Sequence, residues 1–337
     1  MEIEVKEVST LGRQIFIRID AEKVQQEREK IVEEFRRQVQ IEGFRKGKAP
    51  SALVSLRYNQ AIQEQLLKNL IPKAYLKAIQ KYQLSVVVDP EFSEVKLDNE
   101  GLRFQVYVEV KPQITLSRYQ GLTLKKVEPE QITEEMVESV LKEWESKPEL
   151  AVSIIDLEKR KAWKQRVREQ LETVARYRAR QAEERQIWEQ LFAQVKGPVP
   201  EKLVQERARE YTEEELKRQN LQGKTQAEIN KLAEEIFQKV RSRGEEDVRK
   251  YFILEKVVEL EGITCTQEDL DNRVRHIARV VGETEGQVRE KMRKAGRLEE
   301  LRKEICLDKA FAFILEKAQV ISRVILPGDK QGNIVRT

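Results

Sequence analysis

Isoleucines at 15, 17 and 19 recur at every second position, a period of two that turns one face of a strand toward a core. With the alternating residues before them and Thr10-Leu11-Gly12 as the turn, the pattern predicts a β-hairpin over 2–9 and 13–19. Asp20 then suits the N-cap of a helix over about 21–41. Its apolar stripe (Val24, Ile31, Phe35, Val39) is thin, so one edge of that helix packs and the rest stands in water. The pattern breaks at Gly43. Residues 43–50 read as a loop, and Ser51 is placed to cap a short helix through about Tyr58. A longer helix over about 60–82 carries Ile62, Leu66, Leu70, Ala74 and Ile79, and Pro72 is expected to kink or split it. Extended runs follow at 86–88, 92–97 and 102–110, the last alternating Phe104, Val106, Val108 and Val110.

Residues 114–128 read as extended, and Thr133 begins a helix through about Lys147 that Pro148 closes. Beyond it the pattern predicts helices at 156–195, 200–220, 225–242, 245–261, 267–281, 284–295 and 297–320. Gly197-Pro198, Gly223, Gly244, Gly262, Gly282 and Gly296 set the breaks, and Thr266 and Thr284 look like N-caps. The first of these helices is apolar at both ends, through Trp163, Val167, Leu171 and Val174 and then Trp188, Leu191 and Val195. Between them it is polar from Arg176 to Arg185, the pattern of a helix that spans between contacts. The predicted fold is an α+β N-terminal domain over 1–112, a linker over 113–150 and an extended all-α domain over 151–325. A tail over 326–337 is expected to fray.

Composition narrows the class. At roughly 100–200 residues per domain, 337 residues fit two or three domains. Charged residues make up 36%, against about 25% in ordinary globular proteins, yet 63 basic and 59 acidic residues leave only +4. Neither half is a global polyanion binder, so an anionic partner must be met by a local patch. No stretch approaches ~18 uninterrupted apolar residues, and Met1 to Thr10 alternates charge with apolar residues. The reading is therefore no membrane span, no signal peptide and a cytoplasmic location. Cys265 and Cys306 lie far apart in sequence, with no CxxC, and read as two buried small hydrophobes. His276 is the single histidine, within an Arg- and Val-rich helix segment, and reads as a surface or packing residue. No glycine-rich phosphate loop or nucleophile elbow is present, so no catalytic residue, metal or cofactor is expected.

The most informative stretch is the loop at 43–50. From Arg36 to Lys48 five basic residues (Arg36, Arg37, Arg45, Lys46, Lys48) stand against one acid, Glu42. Gly43 and Gly47 flank an aromatic and an Arg-Lys pair, so the backbone can bend tightly and present Phe44, Arg45 and Lys46 outward. Such a tip suits phosphate or carboxylate groups, with Phe44 free to stack or fill a pocket. The plain alternative is a solvated turn with Phe44 folded back on its own helices.

The string from Ile41 to Pro50, IEGFRKGKAP, resembles the GFRxGxxP signature of the bacterial trigger factor family of ribosome-associated chaperones. The order of elements over 1–112 resembles the family's ribosome-binding domain, and Gly121-Leu122 with the helix near 133–146 its linker. Residues 150–320 resemble its helical substrate-binding domain, including Val199 to Val204, which opens a helix. The resemblance implies that Gly43, Phe44, Arg45, Lys46, Gly47, Lys48 and Pro50 dock beside the peptide exit tunnel. Large-subunit protein and ribosomal RNA would be the partners there, with Arg37 and Lys48 secondary. It also implies a cradle for unfolded or nascent chains that works without ATP. The candidate client-facing aromatics are Trp163, Tyr177, Trp188, Phe192, Tyr211, Phe237, Tyr251, Phe252, Phe311 and Phe313. Membrane and DNA are not expected partners, and a weak homodimer stays open.

The chain departs from the family in one respect. Typical members carry an FKBP-type prolyl isomerase domain between linker and helical domain. Here the linker helix closes at Pro148 and the next helix is under way by Asp156, so that domain does not fit. No isomerase activity is expected. The alternatives are a residual isomerase carried by family label, and a helical RNA-binding or scaffold protein.

Overall fold

The computed structural model describes residues 1–145, 157–221, 223–324 and 333–336. Strands β1 (Glu2–Glu7) and β2 (Gly12–Asp20) precede helices α1 (Ala21–Gln38), α2 (Ser51–Arg57) and α3 (Asn59–Tyr82), then β3 (Glu91–Asp98) and β4 (Gly101–Glu109). Strand β5 (Thr123–Lys125) and helix α4 (Glu134–Glu145) lead to α5 (Leu157–Gln194), α6 (Glu201–Arg218) and α7 (Gln226–Glu261). Helices α8 (Gln267–Val281), α9 (Glu285–Lys294) and α10 (Leu298–Glu316) precede β6 (Gln319–Val324) and β7 (Asn333–Arg336). The chain gathers into two compact units: Met1–Gln113 with Gly197–Arg249, and Ile114–Lys196 with Lys250–Thr337. Each unit is thus assembled from two separate stretches of sequence.

In the first unit four antiparallel strands lie in the order β1-β2-β4-β3. The register pairs Ile15 with Val106, Ile17 with Phe104 and Ile19 with Leu102, and all six are buried. Period-two alternation has thereby put the apolar side chains of two central strands on one face. Helices α1 and α3 share that core, α1 through Val24, Ile31 and Val32 and α3 through Ile62, Leu66, Leu70, Ala74 and Ala78. Pro72 does not split α3, which runs unbroken from Asn59 to Tyr82. Pro72 and Lys68 both lie on the exposed side, where the carbonyl that loses its N–H partner is open to water.

Glycine 244 likewise does not break its helix; α7 is continuous across it. A Cβ there would lie 3.1 Å from the Val204 carbonyl oxygen and 3.3 Å from the Ala208 nitrogen. The glycine is where α6 comes close to α7, so it serves packing instead of termination. Helix α6 begins after Pro200, whose side chain offers no cap. The cap comes from the sheet: the Lys202 N–H donates to Glu109 Oε2 at 3.1 Å, and the Tyr107 hydroxyl donates to Oε1 at 3.2 Å.

In the second unit the two ends of α5 pack differently, as the sequence pattern predicts. Near its start Val167, with Trp163 and Leu171, meets Val137, Leu141 and Trp144. Near its end Ile187 and Leu191 join Leu122, Leu124, Ile253, Val257, Ala310 and Ile314. Tyr177, in the charged middle, is exposed, and so is Val174, which was expected in the apolar start. A three-stranded sheet, in the order β5-β6-β7, adjoins this region. The last helix ends at Glu316, short of the expected 320. Val320 and Ile321, β-branched, run on as β6 beside Leu124 and Lys125. The expected frayed tail is corrected as well, because Asn333–Arg336 pairs antiparallel with β6. Residues 325–332 and 337 lie outside the described residues.

The outer edge of β5 is closed by side chains of α5. The Thr123 N–H donates to Gln190 Oε1 (3.0 Å), and Gln190 Nε2 donates back to the Thr123 carbonyl (2.7 Å). Gln186 does the same for Lys125, at 2.9 Å each way, and Gln194 for Arg118, at 2.8 and 2.7 Å. Glu183 accepts from the Val127 N–H at 3.0 Å. Four helical residues rise about 6 Å and two strand residues about 6.7 Å, so a glutamine every turn keeps step with alternate strand residues.

Candidate functional site

The loop between α1 and α2 is built from two consecutive tight turns. The Phe44 N–H donates to the Ile41 carbonyl at 3.0 Å and the Lys48 N–H to the Arg45 carbonyl at 2.9 Å. Each turn has glycine at its third position, Gly43 at φ 84° and Gly47 at φ 81°. A positive φ at that position is the type II requirement, and only glycine meets it without strain. Nothing stands within 4 Å of where a Cβ would project from either one, so the demand is one of backbone shape. At the base, Ile41 (3% exposed) and Ala49 (4%) are embedded in the core of the first unit. Two buried residues therefore hold both ends of a loop whose middle faces solvent.

The tip carries Phe44, Arg45, Lys46 and Lys48, all exposed, with Pro50 exposed where α2 begins. Phe44 retains 38% exposure and is not part of the buried core of the first unit. The side chains of Arg45, Lys46 and Lys48 meet no acidic partner among the described residues. The basic residues at the end of α1 differ. Arg36 and Arg37 both reach Glu33, at 2.8 and 3.3 Å, so the Arg37 charge is partly answered within its own helix. One apolar residue escaped the sequence reading: Leu56 on α2 is 80% exposed. Its place in an otherwise helical stripe gave no signal of that.

The ten aromatics expected to face a client separate into distinct settings. Phe252, at 1% exposure, and Tyr211, at 9%, are interior, and a client-facing role does not fit either. Tyr211 donates its hydroxyl to Asp247 and lies under the Arg243 guanidinium, 4.0 Å from the ring centroid. Burial, followed by that Asp247 contact, raises its pKa. Phe192 and Phe311 each stack on Trp188, with centroids 5.8 and 4.9 Å away, and all three pack on the second unit's core. Phe313 packs on the same core, and Tyr251 sits edge-on to Phe252 at 5.1 Å. Trp163 meets Trp144 edge-on at 5.7 Å, Phe237 is half-buried, and Tyr177 is 62% exposed.

Among the described residues no group of three His, Cys, Asp or Glu side chains is arranged to hold a metal ion, and His276 is exposed on α8. A groove of about 390 Å³ on the outer face of the four-stranded sheet is lined by residues including Phe16, Arg18, Lys96 and Arg103. Arg103 is held there by Asp98. No described helix is long and apolar enough to cross a membrane.

A family model described as "Bacterial trigger factor protein (TF)" matches residues 1–144, and one described as "Bacterial trigger factor protein (TF) C-terminus" matches 161–316. Only residues 145–160 lie between them, too few for a folded domain, which takes roughly 50 residues or more. Trigger factors of Desulfotalea psychrophila and Bdellovibrio bacteriovorus are each 35% identical, over 127 and 131 residues. Those matches cover 37% and 39% of this chain but only 29% and 30% of the relatives, so the chain spans about a third of their length in alignment. A solved structure reported as "Promiscuous Substrate Recognition in Folding and Assembly Activities of the Trigger Factor Chaperone" is similar over 94% of this chain and 99% of its own. Its TM-score is 0.53 at 17% identity, a likeness of fold. With both family models matched in order along one chain, this protein belongs to the bacterial trigger factor family.

Proposed function

We propose that this protein is an ATP-independent chaperone that docks at the ribosomal exit tunnel through the 43–50 loop and holds unfolded or nascent chains with its helical regions. The observation that carries the reading is the tip itself: two glycine turns anchored by Ile41 and Ala49 presenting one aromatic and three cations without an acidic partner among the described residues. Cations of that kind suit RNA phosphates and acidic side chains, and Phe44 suits an apolar pocket beside them. Family membership supports the chaperone role and a cytoplasmic place of action. Because residues 145–160 leave no room for an isomerase domain between the matched segments, we propose that the protein works without prolyl isomerisation. Of the aromatics, exposed Tyr177 and half-buried Trp163, Trp188, Phe192, Phe237, Tyr251, Phe311 and Phe313 remain the candidates for client contact.

Pelleting of the protein with purified ribosomes, set beside its binding to bulk RNA of equal phosphate content, tests the docking half. Saturable ribosome binding that bulk RNA does not compete away is the expected result. Equal affinity for both would make the protein a general RNA binder and overturn the reading. Suppression of the aggregation of a denatured protein, without nucleotide, tests the holding half.

A further inference from the structure

The connection between α7 and α8 runs along one face of α10, and two side chains of that face fix its position. Lys309 Nζ donates to the Thr264 carbonyl at 3.0 Å and to Asp269 Oδ2 at 2.8 Å. Arg302 Nη2 donates to Gln267 Oε1 at 3.2 Å. Arg302 and Lys309 are seven residues apart, so they stand two turns apart on the same side of the helix. Cys306 lies between them on that side. On the facing segment Cys265 lies between Thr264 and Gln267. The two cysteines of the chain thus stand on facing segments, although 40 residues separate them in sequence.

This corrects the expectation of two unrelated buried hydrophobes. Both thiols are free and only partly buried, and Cys265 packs against the α8–α10 core. Burial, and then the field of Cys306, hold the Cys265 thiol above its ordinary value, while Arg302 and Lys309 pull the other way. Arg302 and Lys309 flank Cys306 along α10.

We infer that Cys265 and Cys306 form a reversible dithiol–disulfide pair that, when oxidised, locks the α7–α8 connection onto α10. The oxidant class is a hydroperoxide. One sulfur attacks the peroxide oxygen and becomes a sulfenic acid as the alcohol, or water, leaves. The second sulfur then displaces the hydroxyl as water, so two thiols and one hydroperoxide give one disulfide, one alcohol and one water. A small-molecule thiol reverses the change by exchange. The bond would close a loop containing α8, α9 and the first part of α10, removing chain entropy from the opened state of that module. The inference does not depend on ribosome docking or on client binding.

The test uses the native full chain. It is treated with excess hydrogen peroxide, quenched by alkylation, digested without reductant and analysed by mass. The expected product is a peptide pair joined through Cys265 and Cys306, in monomeric protein, that dithiothreitol separates. Amide exchange in residues 267–305 of the oxidised protein should be slower by about a hundredfold where it requires opening of the module. Free thiols at both positions after treatment, separate sulfinic acids on each, or disulfides only between molecules would each overturn the inference. In Cys306→Ser the same treatment should leave exchange in residues 267–305 unchanged, and slowing there would overturn the inference.

Discussion

Glu109, at the end of a strand, caps a helix that begins 92 residues later by accepting the Lys202 N–H. The acid is buried to 5% exposure and held on its other oxygen by Tyr107. Lys202 itself forms an ion pair with Glu91 at 2.6 Å and donates to the Asp89 carbonyl at 3.2 Å. These contacts draw residues 197–249 to the sheet of residues 1–113. Pro200 starts the helix with its φ preset but brings no capping oxygen, so the carboxylate supplies one from a distance.

Glu109→Ala should therefore leave the first turn of α6 with an unsatisfied N–H and the Tyr107 hydroxyl without its acceptor. A loss of about 1–3 kcal/mol is expected. Amide exchange should rise across 201–218 while the α1 amides stay protected. Equal loss of protection in both would show that the cap is not specific to α6.

Gly244→Val should push α6 away from α7, because the new side chain meets the Val204 carbonyl oxygen at 3.1 Å. Overpacking of this kind costs about 1–3 kcal/mol, which thermal unfolding followed by circular dichroism would register. Gly286→Val is the control: nothing lies within 4 Å of its Cβ, so only a helix-propensity change is expected. Matching thermal shifts in the two variants would contradict the close approach.

The glutamines of α5 predict protection at single residues. Gln190→Ala removes the acceptor of the Thr123 N–H and Gln186→Ala that of Lys125. Each amide should exchange at least about tenfold faster in its own variant, in line with one lost hydrogen bond of about 1–1.5 kcal/mol. Unchanged exchange would mean that β5 is protected by something other than this ladder.

The start of α8 should be acid-sensitive in a defined window. Lys309, followed by the Thr266 N–H and hydroxyl, lowers the Asp269 pKa from 3.8 to about 2. A group depressed on folding adds stability that is complete above its unfolded value and fades as the pH falls through its folded one. Thermal unfolding of the native protein and of Asp269→Ala should differ above about pH 4 and converge as the pH falls toward 2. A constant difference throughout that range would contradict the assignment.

Much of this was legible because it is local. The alternation of Ile15, Ile17 and Ile19 and of Phe104, Val106 and Val108 writes the sheet face directly. Gly43 and Gly47 announce a loop whose turns need positive φ. The rest depends on distant partners. Gly244 reads as a stop until Val204 and Ala208 are seen against it, and Glu109 looks like an ordinary solvent-side residue of an alternating strand. The role of Gln186, Gln190 and Gln194 is not legible because nothing in α5 names the strand they serve. Tyr211 and Phe252 show the same limit, since helical spacing cannot say which side of a long helix is covered.

The central claim is that the 43–50 tip carries ribosome docking, and ribosome affinity across a salt series tests it most directly. Native protein should bind with an affinity that falls as salt rises, as expected when cations displace counterions. The variant Phe44→Ala, Arg45→Ala, Lys46→Ala should lose at least about tenfold in affinity, with a flatter salt dependence and an unchanged circular dichroism spectrum. These side chains are exposed and the fold does not rest on them. Native-like affinity and salt slope in that variant would contradict the account.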